Sequence, residues 1–199
     1  WDVSTGIVVR KVKGHEQMIN SISFNEDASV FATASYDRTA KIWDCKSRSF
    51  DPIQSLDDAD DSVTSICFGD AEILTTSVDG CLRTYDLRMG QLRIDHVGVP
   101  VTSISLSHSG KMVLLGCLDN SLKILDRSDG TLIREFQGHR NSEFKLDSIF
   151  FQGDRFVVSG SEDGALYSWN IDSERRRSLT AHKRMVSGVS AHPEDNIIV

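Results

Sequence analysis

Residues Gly14–Asp44 read GHEQMINSISFNEDASVFATASYDRTAKIWD, and this stretch decides the fold. From Ile19 to Phe24 the apolar positions recur near one face, which is typical of a half-buried β-strand. Val30–Ser35 is almost entirely apolar or small, as expected for a strand covered on both faces. A tight turn at Asp37 then leads to a third predicted strand that ends at Trp43. The stretch therefore predicts an antiparallel meander with Gly-His at one end and Trp-Asp at the other.

The same pattern returns along the chain. A second clear copy, GHRNSEFKLDSIFFQGDRFVVSGSEDGALYSWN, covers Gly138–Asn170. The steps between successive turn aspartates are 42, 40 and 44 residues, and these aspartates are Asp37, Asp79, Asp119 and Asp163. A regular period of this length indicates one supersecondary unit repeated four times. The strands predicted in the later copies include Val63–Phe68, Met112–Cys117 and Lys145–Phe151, and Met185–Ala191 is predicted as the first strand of a fifth unit.

With this period and these ends, the whole chain resembles WD40 propellers. The resemblance implies an all-β WD40 β-propeller of four-stranded antiparallel blades that stack radially, because one blade cannot bury both its faces alone. We expect residues 1–199 to form part of a single propeller domain, an incomplete arc of about four to five blades from a seven-bladed ring. The predicted blades are 14–56, 57–95, 96–137 and 138–180, with the end of an earlier blade at 1–13 and the start of the next at 181–199.

The charge and composition exclude several classes of function. The net charge is −7, which argues against sequence-specific nucleic-acid binding, because binding to phosphates needs clustered Lys and Arg. No apolar run approaches the roughly 20 residues of a membrane span, and residues 1–12 do not form a signal peptide. The acidic run Asp57, Asp58, Asp60 and Asp61 reads as a solvated loop or, alternatively, as a contact for a basic partner.

The four cysteines give no metal-site pattern. They are Cys45, Cys67, Cys81 and Cys117, without a CxxC pair or histidines at finger spacing. We interpret them as core thiols in a reducing compartment. Neither a metal nor a cofactor is predicted.

Histidine, serine and aspartate recur together and suggest a hydrolytic triad, once with His15 and once with His139. A triad needs one site with an oxyanion hole, whereas this group repeats with the period of the fold. We therefore predict no enzymatic activity, and the WD40 resemblance implies a buried network that joins loop and turn through a Trp N–H. The predicted network comprises His15, Ser35, Asp37, Trp43, Ser77, Asp79, Asp119, His139, Ser161, Asp163 and Trp169.

The two middle repeats have lost parts of this network. Tyr85 stands in place of Trp in the second, and Leu125 in the third. We expect these blades to be looser, by about 1 kcal/mol for each missing hydrogen bond.

The stretch SVDGCLRTYDLRMGQL, residues 77–92, departs from the generic repeat. It resembles the mitogen-activated protein kinase organisers, a family of small seven-bladed WD-repeat proteins. That resemblance implies a scaffold for the extracellular-signal-regulated kinase cascade and a component of activated spliceosomes. It implies partners among kinase-cascade or splicing-complex proteins, and localisation in the cytoplasm and the nucleus.

One motif within this stretch favours a different function. Tyr85-Asp86-Leu87-Arg88 approximates the Trp-Asp-x-Arg box through which some WD40 proteins dock on the adaptor of cullin ubiquitin ligases. Arg88 would then be the adaptor contact, and the protein would be a substrate receptor. The alternative is that Arg88 caps the end of a strand.

Partners of WD40 proteins dock mostly on the loops at the narrow top face. The positions expected there by alignment with a WD40 blade are Met18, Asn20, Tyr36, Thr64, Val78, Thr102, Leu118, Phe144, Glu162, Met185 and Ser187. Tyr36 and the two methionines offer large, adaptable anchors for a protein; base stacking is the alternative, but no basic groove accompanies them. Phe144 lies in a longer loop and either contacts a partner or packs locally.

Overall fold

The structure is a computed structural model that describes residues 1–47, 49–192 and 195–199. These residues form strands, turns and irregular segments, and they include no helix long and apolar enough to cross a bilayer. Sixteen strands are found in them, arranged as four four-stranded antiparallel sheets. Each sheet uses four consecutive strands in chain order, so each sheet is a simple meander.

The bounds of the strands are as follows. The first sheet contains β1 (Ile19–Phe24), β2 (Val30–Ser35), β3 (Ala40–Asp44) and β4 (Gln54–Leu56). The second contains β5 (Val63–Phe68), β6 (Glu72–Ser77), β7 (Cys81–Asp86) and β8 (Gln91–His96). The third contains β9 (Val101–Leu106), β10 (Met112–Cys117), β11 (Ser121–Asp126) and β12 (Leu132–Gln137). The fourth contains β13 (Ser148–Phe151), β14 (Phe156–Ser159), β15 (Ala165–Asn170) and β16 (Arg176–Thr180).

Apolar side chains fill the space between neighbouring sheets. Ile42 and Ile73 belong to one cluster between the first and second sheets, and Leu82 and Leu115 to another between the second and third. Further clusters join the third sheet to the fourth, and the fourth to Val186 and Val189. Neighbouring sheets therefore bury the faces that they turn towards each other, as blades of a propeller do. The predicted all-β class and the four-stranded antiparallel blades are confirmed.

The structure differs from the predicted strands at three places. The strand predicted at Lys145–Phe151 begins only at Ser148. The segment Met185–Ala191 forms no strand, and its last residue makes an isolated bridge to Ile198. Residues 1–13 hold a turn closed by Asp2 and no strand. Among the described residues of the C-terminal segment, Ser190 and Val199 exchange backbone hydrogen bonds around the isolated bridge, a pairing too short to form a regular strand.

Candidate protein-binding face

One backbone hydrogen bond recurs in every blade and defines a face of the molecule. The residue before each turn aspartate donates its N–H to a carbonyl in the loop that precedes the first strand. The pairs are Tyr36 to Met18 (2.9 Å), Val78 to Ser62 (3.0 Å), Leu118 to Pro100 (3.0 Å) and Glu162 to Arg140 (2.9 Å). We call the surface formed by these loops and turns the upper face.

In the first blade a connected network lies beneath the upper face. His15 Nδ1 is 2.8 Å from Asp37 Oδ2, and His15 Nε2 is 2.7 Å from Thr33 Oγ1. The indole N–H of Trp43 donates to the same Thr33 hydroxyl at 2.9 Å. Loop, turn and third strand are thus joined, but through Thr33 and not Ser35, whose hydroxyl donates to Met18 O at 3.0 Å. Thr33 is the member that sequence reasoning missed.

The second blade replaces this network with a buried arginine. Arg83 lies four residues after Asp79, and its guanidinium is 2.8 Å from the Asp79 carboxylate. It also donates to Ser77 Oγ at 2.7 Å. Burial raises the pKa of Asp79, but hydrogen bonds from Arg83 and Ser77 outweigh burial and lower this pKa to about 2. A different cation thus holds the turn aspartate in a blade that lacks Gly-His, and the expectation that the middle blades are looser stays a prediction.

Tyr85 occupies the position of Trp43 in this second blade. Burial and the nearby Asp58 carboxylate raise the pKa of the Tyr85 phenol. Asp58 belongs to the loop before β5. The phenol of Tyr85 therefore lies close to the loop that precedes its sheet.

In the third and fourth blades the turn aspartate has yet other partners, which lie four residues after it as Arg83 does in the second blade. Lys123 Nζ lies 3.6 Å from Asp119 Oδ2, and the hydroxyl of Tyr167 donates to Asp163 Oδ2 at 2.8 Å. In all four blades the residue two positions after the aspartate also donates its backbone N–H to it. The aspartate thus shapes the turn by itself, and its second partner differs from blade to blade.

His139 does not join the network predicted for the fourth blade. Both its ring nitrogens lack a hydrogen-bond partner among the described residues, and its ring packs edge-on against Trp169 at 5.5 Å. The Trp169 indole donates to Gln137 O instead, at 3.2 Å, while Ser161 Oγ accepts from Arg140 N. Ser159 stands where the first blade has Thr33, and its hydroxyl donates to Gly160 O. The prediction is corrected because the bridging threonine is missing.

Four large side chains of the upper face are exposed. Met18 is 68% exposed, Tyr36 55%, Phe144 47% and Met185 40%. Met18 and Tyr36 are neighbours through their backbone bond, and Met185 precedes Val186, whose N–H donates to Ser161 O in the fourth turn. Exposed Met and Tyr are effective protein anchors; these four side chains are accessible, and their contact with a partner stays a prediction.

Three other predicted contact residues make hydrogen bonds inside the protein instead, those of Asn20 and Thr64 between blades and that of Thr102 within the third blade. The Asn20 amide donates to Ser62 Oγ and Val63 O in the second blade. Thr64 is buried and donates to Val101 O in the third, at 2.7 Å. Thr102 is also buried and donates to Gly116 O. The prediction that Thr64 and Thr102 contact partners is wrong, because hydrogen bonds to main-chain carbonyls turn both side chains inward.

Lys145 was not predicted as part of the face, and yet it connects three blades. It precedes the fourth sheet, and its ammonium donates to Asn20 O (2.9 Å) in the first blade and Thr64 O (3.0 Å) in the second. Burial lowers the pKa of Lys145, and the Asp147 carboxylate opposes this effect. The sequence around Lys145 contains no pattern that predicts its contacts with Thr64 and Asn20, which lie 81 and 125 residues away.

Glu162 supports the loop that carries Phe144. Its Oε1 accepts backbone N–H groups from Ser142 (2.8 Å), Glu143 (2.7 Å) and Phe144 (3.2 Å). Burial raises the pKa of Glu162, but these hydrogen bonds prevail and lower it to about 2. The carboxylate is thus occupied internally, and it fixes the position of Phe144.

The remaining predicted contact residues differ in their exposure to solvent. Val78 and Leu118 are half-buried beside their turns, and Ser187 is exposed with its carbonyl accepting from Asp147 N. Arg88 is exposed in the turn after β7, where its backbone N–H donates to Asp86 Oδ1 at 2.7 Å. Arg88 therefore lies away from the upper face and is accessible.

The geometry gives no support to a hydrolytic site. His15 uses one nitrogen on Asp37 and the other on Thr33, so it does not serve as a base for Ser35. Burial raises the pKa of the thiols of Cys67 and Cys117 to about 12, which keeps both in the unreactive thiol form. In the part of the chain that the structure describes, no group of three or more His, Cys, Asp or Glu residues is placed to hold a metal ion.

A family model described as "WD domain, G-beta repeat" matches residues 6–44, 91–126 and 130–170. These matches cover more than half of the chain, and the chain belongs to the WD40 family. Each of the last two matches begins in the outer strand of one sheet and continues through three strands of the next. The sequence repeat and the structural blade are therefore offset by one strand.

Within the WD40 family, the chain is similar to proteins named WD repeat domain-containing protein 83. The chain is 31% identical over 226 aligned residues to the WD repeat domain-containing protein 83 homolog of Dictyostelium discoideum, covering 98% of this chain and 70% of that protein. It is 42% identical over 152 residues to WD repeat domain-containing protein 83 of Rattus norvegicus, and this alignment covers 76% of the chain and 48% of the rat protein. It is 43% identical over 150 residues to the protein of the same name in Homo sapiens, and this alignment covers 75% of the chain and 48% of the human protein. These similarities agree with the predicted resemblance to the kinase organisers, and the chain spans about half the length of the mammalian relatives.

Proposed function

We propose that the protein is a non-enzymatic scaffold that binds other proteins at its upper face. The observation that carries this proposal is the set of exposed side chains Met18, Tyr36, Phe144 and Met185 at one end of the molecule. Beneath them, hydrogen bonds of Asn20, Thr64 and Lys145 tie the blades together. Large apolar anchors on a rigid support are what a protein partner requires.

The partners we propose are components of pre-mRNA splicing complexes and of the extracellular-signal-regulated kinase cascade. Both follow from the resemblance of residues 77–92 to the kinase organisers. The two roles are compatible, because a propeller offers several surfaces to different proteins. They place the protein in both the cytoplasm and the nucleus.

No cofactor or metal enters this proposal, and neither does a membrane or sequence-specific contact with nucleic acid. The net charge of −7 opposes binding to phosphate backbones. The exposed tyrosine and methionines of the upper face are suited to apolar contacts with proteins.

The alternative function is that of a substrate receptor for a cullin-type ubiquitin ligase that docks through Tyr85–Arg88. The exposed position of Arg88 favours it. Tyr85 stands against it, because it replaces the Trp of the box and its side chain is half-buried in the blade. Arg88 alone would then have to supply the recognition.

The test is affinity purification from separate nuclear and cytoplasmic extracts, followed by mass spectrometry. Three variants run beside the parent: Tyr36→Ala/Met185→Ala, Arg88→Ala, and Leu132→Ala as a control on the outer strand β12. We expect splicing proteins in the nuclear sample and kinase-cascade proteins in the cytoplasmic sample. Both sets should be lost with the upper-face pair and kept with the control.

Two outcomes would contradict the proposal. Partners retained by the upper-face pair would show that binding occurs elsewhere. Recovery of a cullin adaptor that disappears with Arg88→Ala would establish the ligase-receptor alternative.

A further inference from the structure

A large cleft lies at the end of the blades opposite the upper face. The loops that join β1 to β2, β5 to β6 and β9 to β10 surround it, and its volume is about 970 Å³. We call it the lower cleft. Its lining comes from three blades and includes Leu87, which follows β7. A volume of this size is within the range of protein clefts that accept ligands.

Aromatic and aliphatic side chains form the apolar part of the lining. Phe24 and Leu87 are 55% and 52% exposed, and Phe68 and Leu106 lie partly buried beside them. The Phe24 ring contacts Phe31 at 5.6 Å between centroids. Phe31 in turn stacks on the buried Trp43 at 6.0 Å. Phe24 is therefore exposed but held in place, and an exposed ordered apolar surface favours binding of a partner.

The charged part of the lining is acidic. Glu26, Asp27 and Asp70 are exposed carboxylates in the surrounding loops. Among the described residues that line the cleft, Arg127 is the only arginine or lysine. Its guanidinium is occupied, since it lies 2.9 Å from the Glu72 carboxylate and donates to Gly110 O at 2.9 Å. The cleft therefore presents negative charge that no cation in its lining neutralises.

We propose that the lower cleft binds a short basic segment of a partner protein. A large apolar side chain of that segment would contact Phe24, Phe68 and Leu87, and flanking lysines or arginines would meet Glu26, Asp27 and Asp70. Charge complementarity selects this occupant, because an acidic segment would be repelled. A second copy of this chain is disfavoured for the same reason, since each copy carries a net charge of −7. The surface is separate from the upper face and does not depend on the function proposed for it.

The test uses four fluorescein-labelled hexapeptides and measures their binding by fluorescence anisotropy at two salt concentrations. In each peptide two Lys-Arg pairs flank a central pair of Leu, Phe, Met or Trp. Acidic counterparts replace every Lys and Arg by Glu, and polar counterparts replace the central pair by Ser. At least one basic apolar peptide should bind, at least about tenfold more tightly than both counterparts, and salt should weaken its binding.

Two pairs of variants locate the binding site. Leu87→Ser should weaken binding about tenfold or more, whereas Leu132→Ser, which removes a leucine of similar exposure (54%) on β12, should leave it unchanged. Asp70→Lys should weaken binding to a similar degree and reduce its dependence on salt. Asp172→Lys introduces the same change of charge at an exposed position after β15 and should have no effect. Thermal melts of all four verify that each variant is folded.

Several results would overturn the proposal. These are equal binding of the acidic peptides, no binding of any basic apolar peptide up to about 1 mM, or unchanged binding by Leu87→Ser and Asp70→Lys. Loss of peptide binding in Tyr36→Ala/Met185→Ala would move the site to the upper face. A dimer, detected by light scattering, that is lost with Leu87→Ser would make a second copy the occupant.

Discussion

The guanidinium of Arg83 lies 2.8 Å from the carboxylate of Asp79 and takes over the role that His15 has for Asp37 in the first blade. Both aspartates close the turn between the second and third strands of their sheets, and both have an additional partner that is almost fully buried. In the third and fourth blades this partner is Lys123 or Tyr167. The turn with its aspartate is therefore present in every repeat, whereas the side chain that pairs with the aspartate differs from blade to blade.

Replacing Arg83 by methionine should destabilise the protein strongly. The side chains of Arg83 and Asp79 are only 3% and 11% exposed, so the variant leaves a carboxylate buried without its cation. The expected loss of unfolding free energy is about 3–5 kcal/mol. Lys41→Met is the matched control, since Lys41 holds the same position in the first blade and its ammonium donates to the Ser55 hydroxyl at the surface. Equal midpoints of urea unfolding for the two variants would contradict this role of Arg83.

Neutralising the turn aspartate should cost more in the first blade than in the fourth. Asp37 accepts from His15, from the N–H of Glu16, and from both the N–H and the hydroxyl of Thr39. Asp163 is exposed and accepts from only two groups, those of Ala165 and Tyr167. We expect Asp37→Asn to lose about 2 kcal/mol and Asp163→Asn about 1 kcal/mol. Thermal melts in the opposite order would show that the number of hydrogen bonds does not govern these turns.

His139 should make stability depend on pH in mildly acidic solution. Burial lowers its pKa to about 4, from an ordinary value of 6.5. Between these values the unfolded chain binds a proton that the folded protein does not, so the free energy of unfolding decreases as the pH falls from about 6.5 to about 4. The full effect is about 3 kcal/mol.

Urea unfolding at pH 7, 5.5 and 4.5 measures this effect. His139→Leu removes the titration, and the unfolding free energy of this variant should fall less over that interval than that of the parent. His182→Leu changes an exposed histidine and should follow the parent. Parallel pH profiles for the parent and His139→Leu would exclude His139 as the cause.

Lys145 should contribute to stability by joining the first, second and fourth blades. Lys145→Met leaves the carbonyls of Asn20 and Thr64 without its ammonium, and an unsatisfied buried polar group costs about 1–3 kcal/mol. We expect a lower unfolding midpoint and faster hydrogen exchange at the starts of β1 and β5. Lys183→Met, at an exposed position, is the control. If exchange accelerates only around β13, Lys145 does not connect the blades.

The sequence predicts most of the strands because they are half-buried or fully buried, and burial leaves a periodic pattern. Val63–Phe68 and Met112–Cys117 were predicted with the bounds that the structure has. The turns follow from Asp and Gly at fixed positions. Residues 145–147 were predicted as part of a strand that begins only at Ser148 in the structure, and the Lys145 ammonium contacts two other blades.

The site is less predictable than the fold. The exposure of Met18 and Tyr36 followed from their positions in the repeat, whereas the inward orientation of Thr64 did not, because a threonine has no preference for either side. The replacement of His15 by Arg83 depends on a side chain of the third strand reaching back to the turn. Nothing in the repeat pattern distinguishes such an arginine from one that points to solvent.

Hydrogen exchange of the protein with and without its most abundant captured partner tests the central claim most directly. If the upper face is the docking surface, protection should increase in residues 15–20, 36–39, 140–145 and 182–187 and remain unchanged in the outer strands β4, β8, β12 and β16. Protection confined to those outer strands, or to the turn that contains Arg88, would contradict the account.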